Sequence, residues 1–374
     1  MFSYANGNVT SVTPPGKPGH GFQYSPVDLE GEYDPPLNGL PLVKTQYRYN
    51  RDKQLTTVMR PDGTALTVGY DSAGRASTLA PSSGAGSTVT YGYHATTGQL
   101  NSIGNAAVTL GYTYDGALPT QESFSGTVTG SLTRSYDANF RVTGLALNGT
   151  SLAFGYDQDS LLTNVGALTF TRNPANGFIA ATSLAGVTTA LGTSTFGELA
   201  SFGARYNGAA LYDYTLAYDR LGRIKTKTET VAGVATNFDY GYDLAGRLET
   251  VKQNGQLVRQ YGYNANGNRI SLNGAPVGTY DDQDRLLAYA GKNYTFTAHG
   301  DLAQKTDGSQ TSQYSYDLFG NLGTVTLPDN TLIEYVVDGR NRRVGCPAAH
   351  RVSRAGHAFR RHRGRAGGFA RLVV

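Results

Sequence analysis

Apolar and polar residues alternate along most of the chain, and tyrosines recur in pairs two positions apart. Tyr240 and Tyr242 form one such pair, and side chains two positions apart in a β-strand point to the same face of a sheet. The other pairs are Tyr47/Tyr49, Tyr91/Tyr93, Tyr112/Tyr114, Tyr212/Tyr214, Tyr261/Tyr263 and Tyr314/Tyr316. No long stretch has the apolar spacing of an amphipathic helix. The pattern therefore predicts a protein built almost entirely from β-strands.

A tight-turn signal follows the clearest of these pairs. In residues 240–251, Asp243 and Gly246 stand at the first and last positions of a four-residue turn. Aspartate accepts local backbone hydrogen bonds at the first position, and glycine tolerates a positive φ at the last. Leu248 then begins the alternation of a return strand, so the segment predicts a β-hairpin of about a dozen residues.

The same turn recurs along the chain. The anchoring aromatic residues at positions 70, 93, 114, 136 and 156 are 20 to 23 residues apart, and a sustained spacing of this kind is typical of a repeat array. Weaker copies keep the Tyr-Asp pair but lose the glycine, at positions 136, 156 and 280. The residues that define the repeat in its strongest copies are Tyr70, Asp71, Gly74, Arg75, Tyr218, Asp219, Gly222, Arg223, Tyr242, Asp243, Gly246, Arg247, Tyr263, Asn264, Gly267, Tyr316, Asp317 and Gly320.

Composition supports a folded chain and argues against a nucleic-acid-binding body. The 26 tyrosines and 14 phenylalanines are far more aromatic residues than disordered chains contain. We interpret most of the 48 glycines as hairpin turn residues. Seven of the 32 lysines and arginines lie in residues 346–374, which contain no acidic residue, so the body has 25 basic and 28 acidic residues. The body therefore has no excess positive charge for binding phosphates.

The sequence offers no convergent catalytic or metal-binding group. The body has three histidines, His20, His94 and His299, and the last two fall at turn positions. No nucleophile elbow, zinc-protease or phosphate-loop motif is present. Acidic clusters around Asp157 and Asp281 lack the bidentate glutamate that ends a calcium loop, as does the pair formed by Asp213 and Asp219. We therefore predict a non-catalytic protein without cofactor or metal, in which the carboxylates serve the turns.

Two interpretations of the tyrosine pairs remain open. Stacked copies would make aromatic ladders between neighbouring strands. A ring with a hydroxyl group also suits a carbohydrate-binding surface. The arginines that follow the turn glycine, such as Arg75, Arg223 and Arg247, are expected to link adjacent turns.

The pattern divides the chain into three segments. Residues 1–41 contain seven of the 14 prolines and predict a lead-in packed on the sheet. Residues 42–345 carry the repeats, which weaken over 166–205 and there suggest an edge or a less regular part of the sheet. Residues 346–374 change composition at once and predict a disordered, Arg-rich tail, either a basic arm or, as we favour, out-of-frame translation. No signal peptide and no apolar stretch of the length of a membrane span is visible.

The Tyr-Asp-x-x-Gly-Arg-Leu pattern resembles the YD repeat of bacterial rearrangement-hotspot (Rhs) proteins, which is shared with the teneurin YD shell. The resemblance covers about residues 42–345 and is specific because the pattern recurs. Residues 333–343 resemble a late repeat of that family. The predicted fold is a spiralling antiparallel sheet of repeated hairpins, solenoid- or barrel-like, because stacked strands twist and each repeat buries its face only against neighbours.

The resemblance implies a structural shell segment of a secreted or cell-surface protein that encloses or displays a C-terminal toxin. The expected partners are the remainder of the Rhs shell and its cargo, and the alternative is a carbohydrate-binding adhesin. The family's cleavage pattern, Asp-Pro-x-Gly, is absent, and Asp34-Pro35-Pro36 does not match it, so no cleavage residue is assigned. A partial shell exposes sheet edges, which predicts that the isolated chain associates.

Overall fold

The computed structural model describes residues 1–36, 44–82 and 88–346 and the backbone of residues 350–351. Within these residues the chain forms strands, turns and bends, and no helix. Wherever strand pairing is defined it is antiparallel, as in the hairpin formed by residues 234–253. The prediction of an all-β protein of repeated antiparallel hairpins is therefore confirmed.

The strands are short and follow one another closely. The first thirteen are β1 Phe2–Ala5, β2 Asn8–Val12, β3 His20–Tyr24, β4 Glu30–Asp34, β5 Thr45–Tyr49, β6 Leu55–Met59, β7 Ala65–Tyr70, β8 Ala76–Pro81, β9 Val89–Tyr93, β10 Leu100–Gly104, β11 Val108–Asp115, β12 Leu118–Gly126 and β13 Gly130–Tyr136. The next twelve are β14 Val142–Leu147, β15 Thr150–Tyr156, β16 Leu162–Val165, β17 Leu168–Arg172, β18 Ile179–Leu184, β19 Val187–Thr193, β20 Leu199–Tyr206, β21 Ala209–Tyr218, β22 Ile224–Val231, β23 Val234–Tyr242, β24 Leu248–Gln253 and β25 Gln256–Tyr263. The last twelve are β26 Arg269–Leu272, β27 Ala275–Pro276, β28 Gly278–Tyr280, β29 Leu286–Tyr289, β30 Lys292–Phe296, β31 Leu302–Asp307, β32 Gln310–Tyr316, β33 Leu322–Thr326, β34 Thr331–Glu334, β35 Val336–Val337, β36 Arg343–Gly345 and β37 His350–Arg351.

The predicted turn closes the hairpin between β23 and β24. The N–H of Gly246 donates to the carbonyl of Asp243 at 2.9 Å, and Gly246 has a φ of 81°. Beyond the turn, Gly241 pairs with Thr250 and Tyr242 with Leu248, so Glu249 is the extra residue of a β-bulge.

A second class of turn, which the sequence analysis missed, closes the opposite ends of the strands. Between β24 and β25, Asn254 and Gly255 both have positive φ angles, 49° and 81°, as a two-residue type I′ hairpin turn requires. Similar pairs are Asn148-Gly149, Ala185-Gly186, Asn207-Gly208, Ala232-Gly233 and Asn273-Gly274. The Asn-Gly dipeptides in the sequence are the signal from which these turns could have been predicted. Successive hairpins of this region therefore alternate between repeat turns and two-residue turns.

Most of the described glycines lie in turns, as interpreted from the sequence, but others lie within strands. Gly241 faces Thr250 across the β23–β24 pair, where a Cβ would overlap the threonine hydroxyl. Gly262 meets Ser271 in the same way across β25 and β26. These glycines make room for hydroxyl side chains on the neighbouring strand.

The chain divides into two compact units. Unit 1 comprises residues 1–113, 122–130 and 279–374, and unit 2 comprises residues 114–121 and 131–278. The described part of unit 1 contains a small core of Val89, Ile103, Val108, Leu110 and Val336. No residue of unit 2 is fully buried, so this unit is a single-layered sheet with both faces accessible.

Two expectations about the repeat pattern need correction. Residues 166–205 are neither an edge nor irregular, since β17–β20 form a continuous ladder in which each strand pairs with the next. Ser194 and Glu198 replace the usual Asp and Arg of the turn there, which concealed the repeat. Residues 1–36 form β1–β4, and β4 pairs with β5, so this segment is part of a sheet rather than a layer on it. The predicted tail lies almost entirely outside the described residues, and the segment boundaries stay predictions.

Replacing Phe140 with glycine is expected to stabilise the chain by up to about 1 kcal/mol. Phe140 occupies the glycine position of its turn, with a φ of 61° and a side chain that is 72% exposed. Glycine adopts this left-handed backbone conformation without strain, and little buried area is lost with the exposed phenylalanine ring. Part of the gain is offset because glycine has more conformational entropy in the unfolded chain. Urea denaturation measures the change. Gly246→Ala is the matched control and should be destabilising. A Phe140→Gly variant less stable than the parent would contradict the inference that the backbone at Phe140 is strained.

Candidate functional site

The turn carboxylate organises each repeat. Oδ1 of Asp219 accepts the N–H groups of Leu221 at 2.9 Å and Arg223 at 3.0 Å. Its Oδ2 accepts Nε of Arg223 at 2.8 Å, and Nη2 of the same arginine lies 2.7 Å away. Asn264 accepts two turn N–H groups, each at 3.0 Å. Comparable bonds form at Asp71, Asp137, Asp281, Asp317 and Asp338.

In many repeats the anchoring tyrosine binds the repeat before it. The hydroxyl of Tyr242 donates to the carbonyl of Ile224 at 2.7 Å, and Ile224 is the residue directly after Arg223. The acceptor also follows the last turn residue of the preceding hairpin in five further pairs, namely Tyr70 to Leu55, Tyr93 to Ala76, Tyr156 to Val142, Tyr218 to Leu199 and Tyr263 to Leu248. Tyr136 differs, because its hydroxyl donates to the carbonyl of Pro119, the second residue of β12.

The turn arginine completes the link from its other side. The guanidinium carbon of Arg223 lies 4.4 Å from the ring centroid of Tyr242, within the range of a cation–π interaction. Arg75 lies over Tyr93 at 4.2 Å and Arg247 over Tyr263 at 4.7 Å. One arginine therefore binds the aspartate of its own turn and the anchoring tyrosine of the next repeat.

The structure distributes the predicted repeat residues along the strands rather than gathering them into one centre. Gly74, Gly222, Gly267 and Gly320 all have positive φ angles, between 74° and 87°. Tyr316 ends β32, where burial raises the pKa of its hydroxyl. The sequence analysis missed the tyrosine-to-carbonyl bond, because a backbone acceptor leaves no residue signature. It also expected the arginines to link turns and did not foresee their stacking on the next tyrosine.

The acidic residues considered as calcium ligands have other roles in the structure. The carboxylate of Asp157 accepts the N–H groups of Asp159 and Leu161, and that of Asp281 binds Arg285 at 2.6 Å. Asp213 pairs with Arg205 at 2.6 Å. Within the described ranges no three acidic, histidine or cysteine side chains are grouped as metal ligands.

The protein is expected to lose stability in acid, because its turn carboxylates become protonated there. Hydrogen bonds from arginine side chains to Asp71 and Asp219, and from arginine N–H groups to Asp137 and Asp243, hold the pKa of these carboxyls below the usual 3.8. Their contribution is therefore complete above pH 3.8 and is lost as the pH falls through the lower folded values. Denaturant midpoints measured from pH 6 to pH 2 test this, and a midpoint that does not fall in acid would be inconsistent with it.

The most buried polar groups lie where the late repeat, residues 333–343, packs within unit 1. The side chain of Asp338 is fully inaccessible, and its carboxylate accepts the N–H groups of Arg340 and Arg342 at 2.8 and 3.0 Å. Nε of Arg342 donates to the same carboxylate at 2.8 Å, and its Nη2 pairs with Glu122. Glu122 is 4% exposed. Desolvation lowers the pKa of Arg342, but its bonds to Glu122 and Asp338 outweigh this and raise the pKa overall.

Apolar contacts fix the same segment. Val336 belongs to the unit 1 core together with Ile103 and Leu110. Nδ2 of Asn105 donates to the carbonyl of Val337 at 2.9 Å. The late repeat therefore closes the core of unit 1 by both packing and buried charge.

Antiparallel hairpins linked in series by tyrosine, arginine and aspartate define a structural repeat protein. The family model of the teneurin YD-shell matches residues 1–350. The chain belongs to this family, and the match extends the resemblance seen in the sequence to the proline-rich first residues.

Known proteins resemble this chain in sequence, and solved structures resemble it in fold. Human Teneurin-4 is 27% identical over 295 residues, covering 70% of this chain and 10% of its own length. Teneurin-3 of Danio rerio is 32% identical over 143 residues, covering 36% of this chain and 5% of its own length. The crystal structure of TcdB2-TccC3-TEV has a TM-score of 0.64 at 13% identity, covering 85% of this chain and 21% of that one. A Photorhabdus luminescens Tc holotoxin pore has a TM-score of 0.53 at 13% identity, with 86% and 23% covered.

The chain thus spans about a tenth of the length of the Teneurin-4 relatives it matches. The two solved structures share its fold. Among the described residues there is no helix of the length and apolar character needed to cross a membrane.

Proposed function

We propose that this chain is a non-catalytic wall segment of a YD shell that encloses or displays a C-terminal effector as part of a longer, exported protein. Its partners would be the remaining shell and the cargo polypeptide, in an extracellular or cell-surface setting. Membership of the YD-shell family supports the wall role, and the small fraction of its relatives that it matches supports the segment role.

One observation carries the proposal, namely an uncovered apolar face on unit 2. Cross-strand pairs on this face join Leu145 to Leu152, Leu184 to Val187 and Phe202 to Tyr214. We call the surface that these six residues define the apolar face. Leu184 and Val187 are 44% and 41% exposed. A sheet of this kind suits a wall whose apolar face is covered by other parts of a shell or by its contents.

The side chains on the opposite face of the same sheet are small or polar. Ala146 pairs there with Ser151, and Ser183 with Thr188. The two faces therefore differ in chemistry, as expected for a wall with different environments on its two sides.

The carbohydrate-binding alternative has less support. The anchoring tyrosines use their hydroxyls on backbone carbonyls, as Tyr242 does. The ring of Tyr240 lies 6.4 Å from that of Phe238, and Arg269 lies 4.1 Å above the ring of Tyr261. A glycan array that shows binding lost in Tyr240→Ala and Tyr261→Ala variants that still fold would favour the adhesin.

Lysine substitutions on the two faces of one hairpin test the wall. We expect the parent chain to bind a hydrophobic dye and to associate in light scattering. Leu184→Lys with Val187→Lys should reduce both signals, because charges on the apolar face oppose contact with apolar groups. Ser183→Lys with Thr188→Lys adds the same charge to the same hairpin on the polar face and should leave dye binding unchanged. A monomeric parent chain without dye binding, or equal effects of the two variants, would overturn the proposal.

A further inference from the structure

The late repeat differs from the other repeats at the second position of its turn. Gly339 stands there, directly after Asp338. The copies that begin with Tyr-Asp or Tyr-Asn and continue into the four-residue repeat turn have a side chain at that position, namely Arg51, Ser72, Ala138, Gln158, Arg220, Leu244, Ala265, Asp282 and Leu318. Gly116 and Gly208 also follow such pairs, but they lie in two-residue connections between successive strands. Leu244 is fully exposed, so a large residue is tolerated when the turn faces solvent.

Packing explains why glycine is needed at 339. A Cβ on Gly339 would lie 2.6 Å from Cγ2 of Ile103 and 3.1 Å from Cγ1 of Val89. Both of these residues are buried in the unit 1 core, and side chains in such a core have little room to move. Gly339 is not among the glycines with positive φ. It is therefore required for the close approach of the turn to β9 and β10 and not for backbone conformation.

The late repeat also differs from the earlier copies in the partner of its turn arginine. In earlier copies the turn arginine stacks on the anchoring tyrosine of the next repeat, as Arg223 does on Tyr242. The guanidinium of Arg342 instead pairs with Glu122, and it lies 5.8 Å from the ring of Phe124. The side chain of Glu122 is 5% accessible, and a buried carboxylate is costly to leave without a cationic partner. Residues of β12 therefore contact the turn arginine of the late repeat, whereas in earlier copies the anchoring tyrosine of the next repeat does so.

We propose that the unit 1 residues of β9–β12 form a recognition site that is selective for a Val-Asp-Gly-x-x-Arg turn. Its occupant is residues 337–342, which act as a separable clasp for the unit 1 core. Ile103 and Val89 select glycine at the second turn position, and Glu122 selects arginine at the last. No other copy in this chain combines both residues. The site therefore accepts this repeat and rejects the others.

The full chain, cut after folding, tests the clasp. A protease site inserted between Asp329 and Asn330, in the exposed turn that joins β33 to β34, leaves the late repeat on a separate fragment. We expect the fragment to remain bound and to co-elute with residues 1–329. In Gly339→Ala and Glu122→Gln variants its dissociation should be at least about tenfold faster, the equivalent of 1.4 kcal/mol. Leu244→Ala, at the same turn position as Gly339 in an exposed copy, is the control and should not change the rate.

Competition on the cut parent protein tests selectivity without any variant that risks misfolding. A labelled peptide of residues 330–346 should displace the fragment, and a peptide of residues 237–253, which carries the repeat around Asp243, should not. The proposal is overturned if both peptides compete equally, or if the Gly339→Ala and Glu122→Gln fragments dissociate at the parent rate.

Discussion

Replacing Asp338 with alanine should lower the free energy of unfolding of unit 1 by about 3–5 kcal/mol, the usual cost of breaking a buried ion pair. The carboxylate of Asp338 is inaccessible to solvent and accepts two N–H groups of its own turn and Nε of Arg342. Alanine would leave these donors buried without an acceptor, and a buried donor without a partner is costly. The decrease should appear in urea denaturation followed by tyrosine fluorescence.

The aspartate of an exposed turn is the matched control for this prediction. Asp243 accepts the N–H and Nε of Arg247 at 2.9 and 2.7 Å, in the same positions of its turn. Its alanine variant should lose clearly less stability than the Asp338 variant, because water can replace the lost bonds. Equal losses would show that burial of the late repeat does not matter.

Replacing Leu110 with alanine should cost about 2–5 kcal/mol, as truncation of fully buried leucines generally does. Leu110 has no exposed surface and packs in the core cluster with Val108 and Val336. The truncation would leave a cavity at the centre of that cluster. Hydrogen exchange should accelerate most in β9–β11, whose residues supply most of the core.

A partly exposed leucine provides the comparison. Leu152 lies on the apolar face of unit 2 and is 39% exposed. Leu152→Ala should cost much less than Leu110→Ala, since it removes less buried surface and leaves no closed cavity. Similar costs for the two variants would contradict the view that unit 2 lacks a packed core.

The strands and repeat turns could be predicted from sequence because each is determined by neighbouring residues. The turn at Asp243 needs an acceptor at its first position and a residue tolerant of positive φ at its last, and both requirements are visible in four letters. The return strand that was predicted to begin at Leu248 does begin there in the structure, as β24 Leu248–Gln253.

The links between repeats and the clasp could not be predicted in the same way. The acceptor for the Tyr242 hydroxyl is a backbone carbonyl, which any residue supplies. Gly339 looked like one more turn glycine, and only its contact with Ile103 shows a different role. The pairing of Glu122 with Arg342 joins residues 220 positions apart, and no local pattern contains such a contact.

Repeats that carry the turn arginine hold the next repeat through this arginine and the following tyrosine, as Arg223 and Tyr242 do. A double-mutant cycle with Arg223→Ala and Tyr242→Ala measures this coupling directly in the free energy of unfolding. We predict a favourable coupling of about 0.5–2 kcal/mol, the range of a cation–π contact. The cycle between Arg223 and Tyr263, which belong to repeats that are not adjacent, should be additive. A coupling of zero between Arg223 and Tyr242 would contradict the claim that the repeats are linked in series.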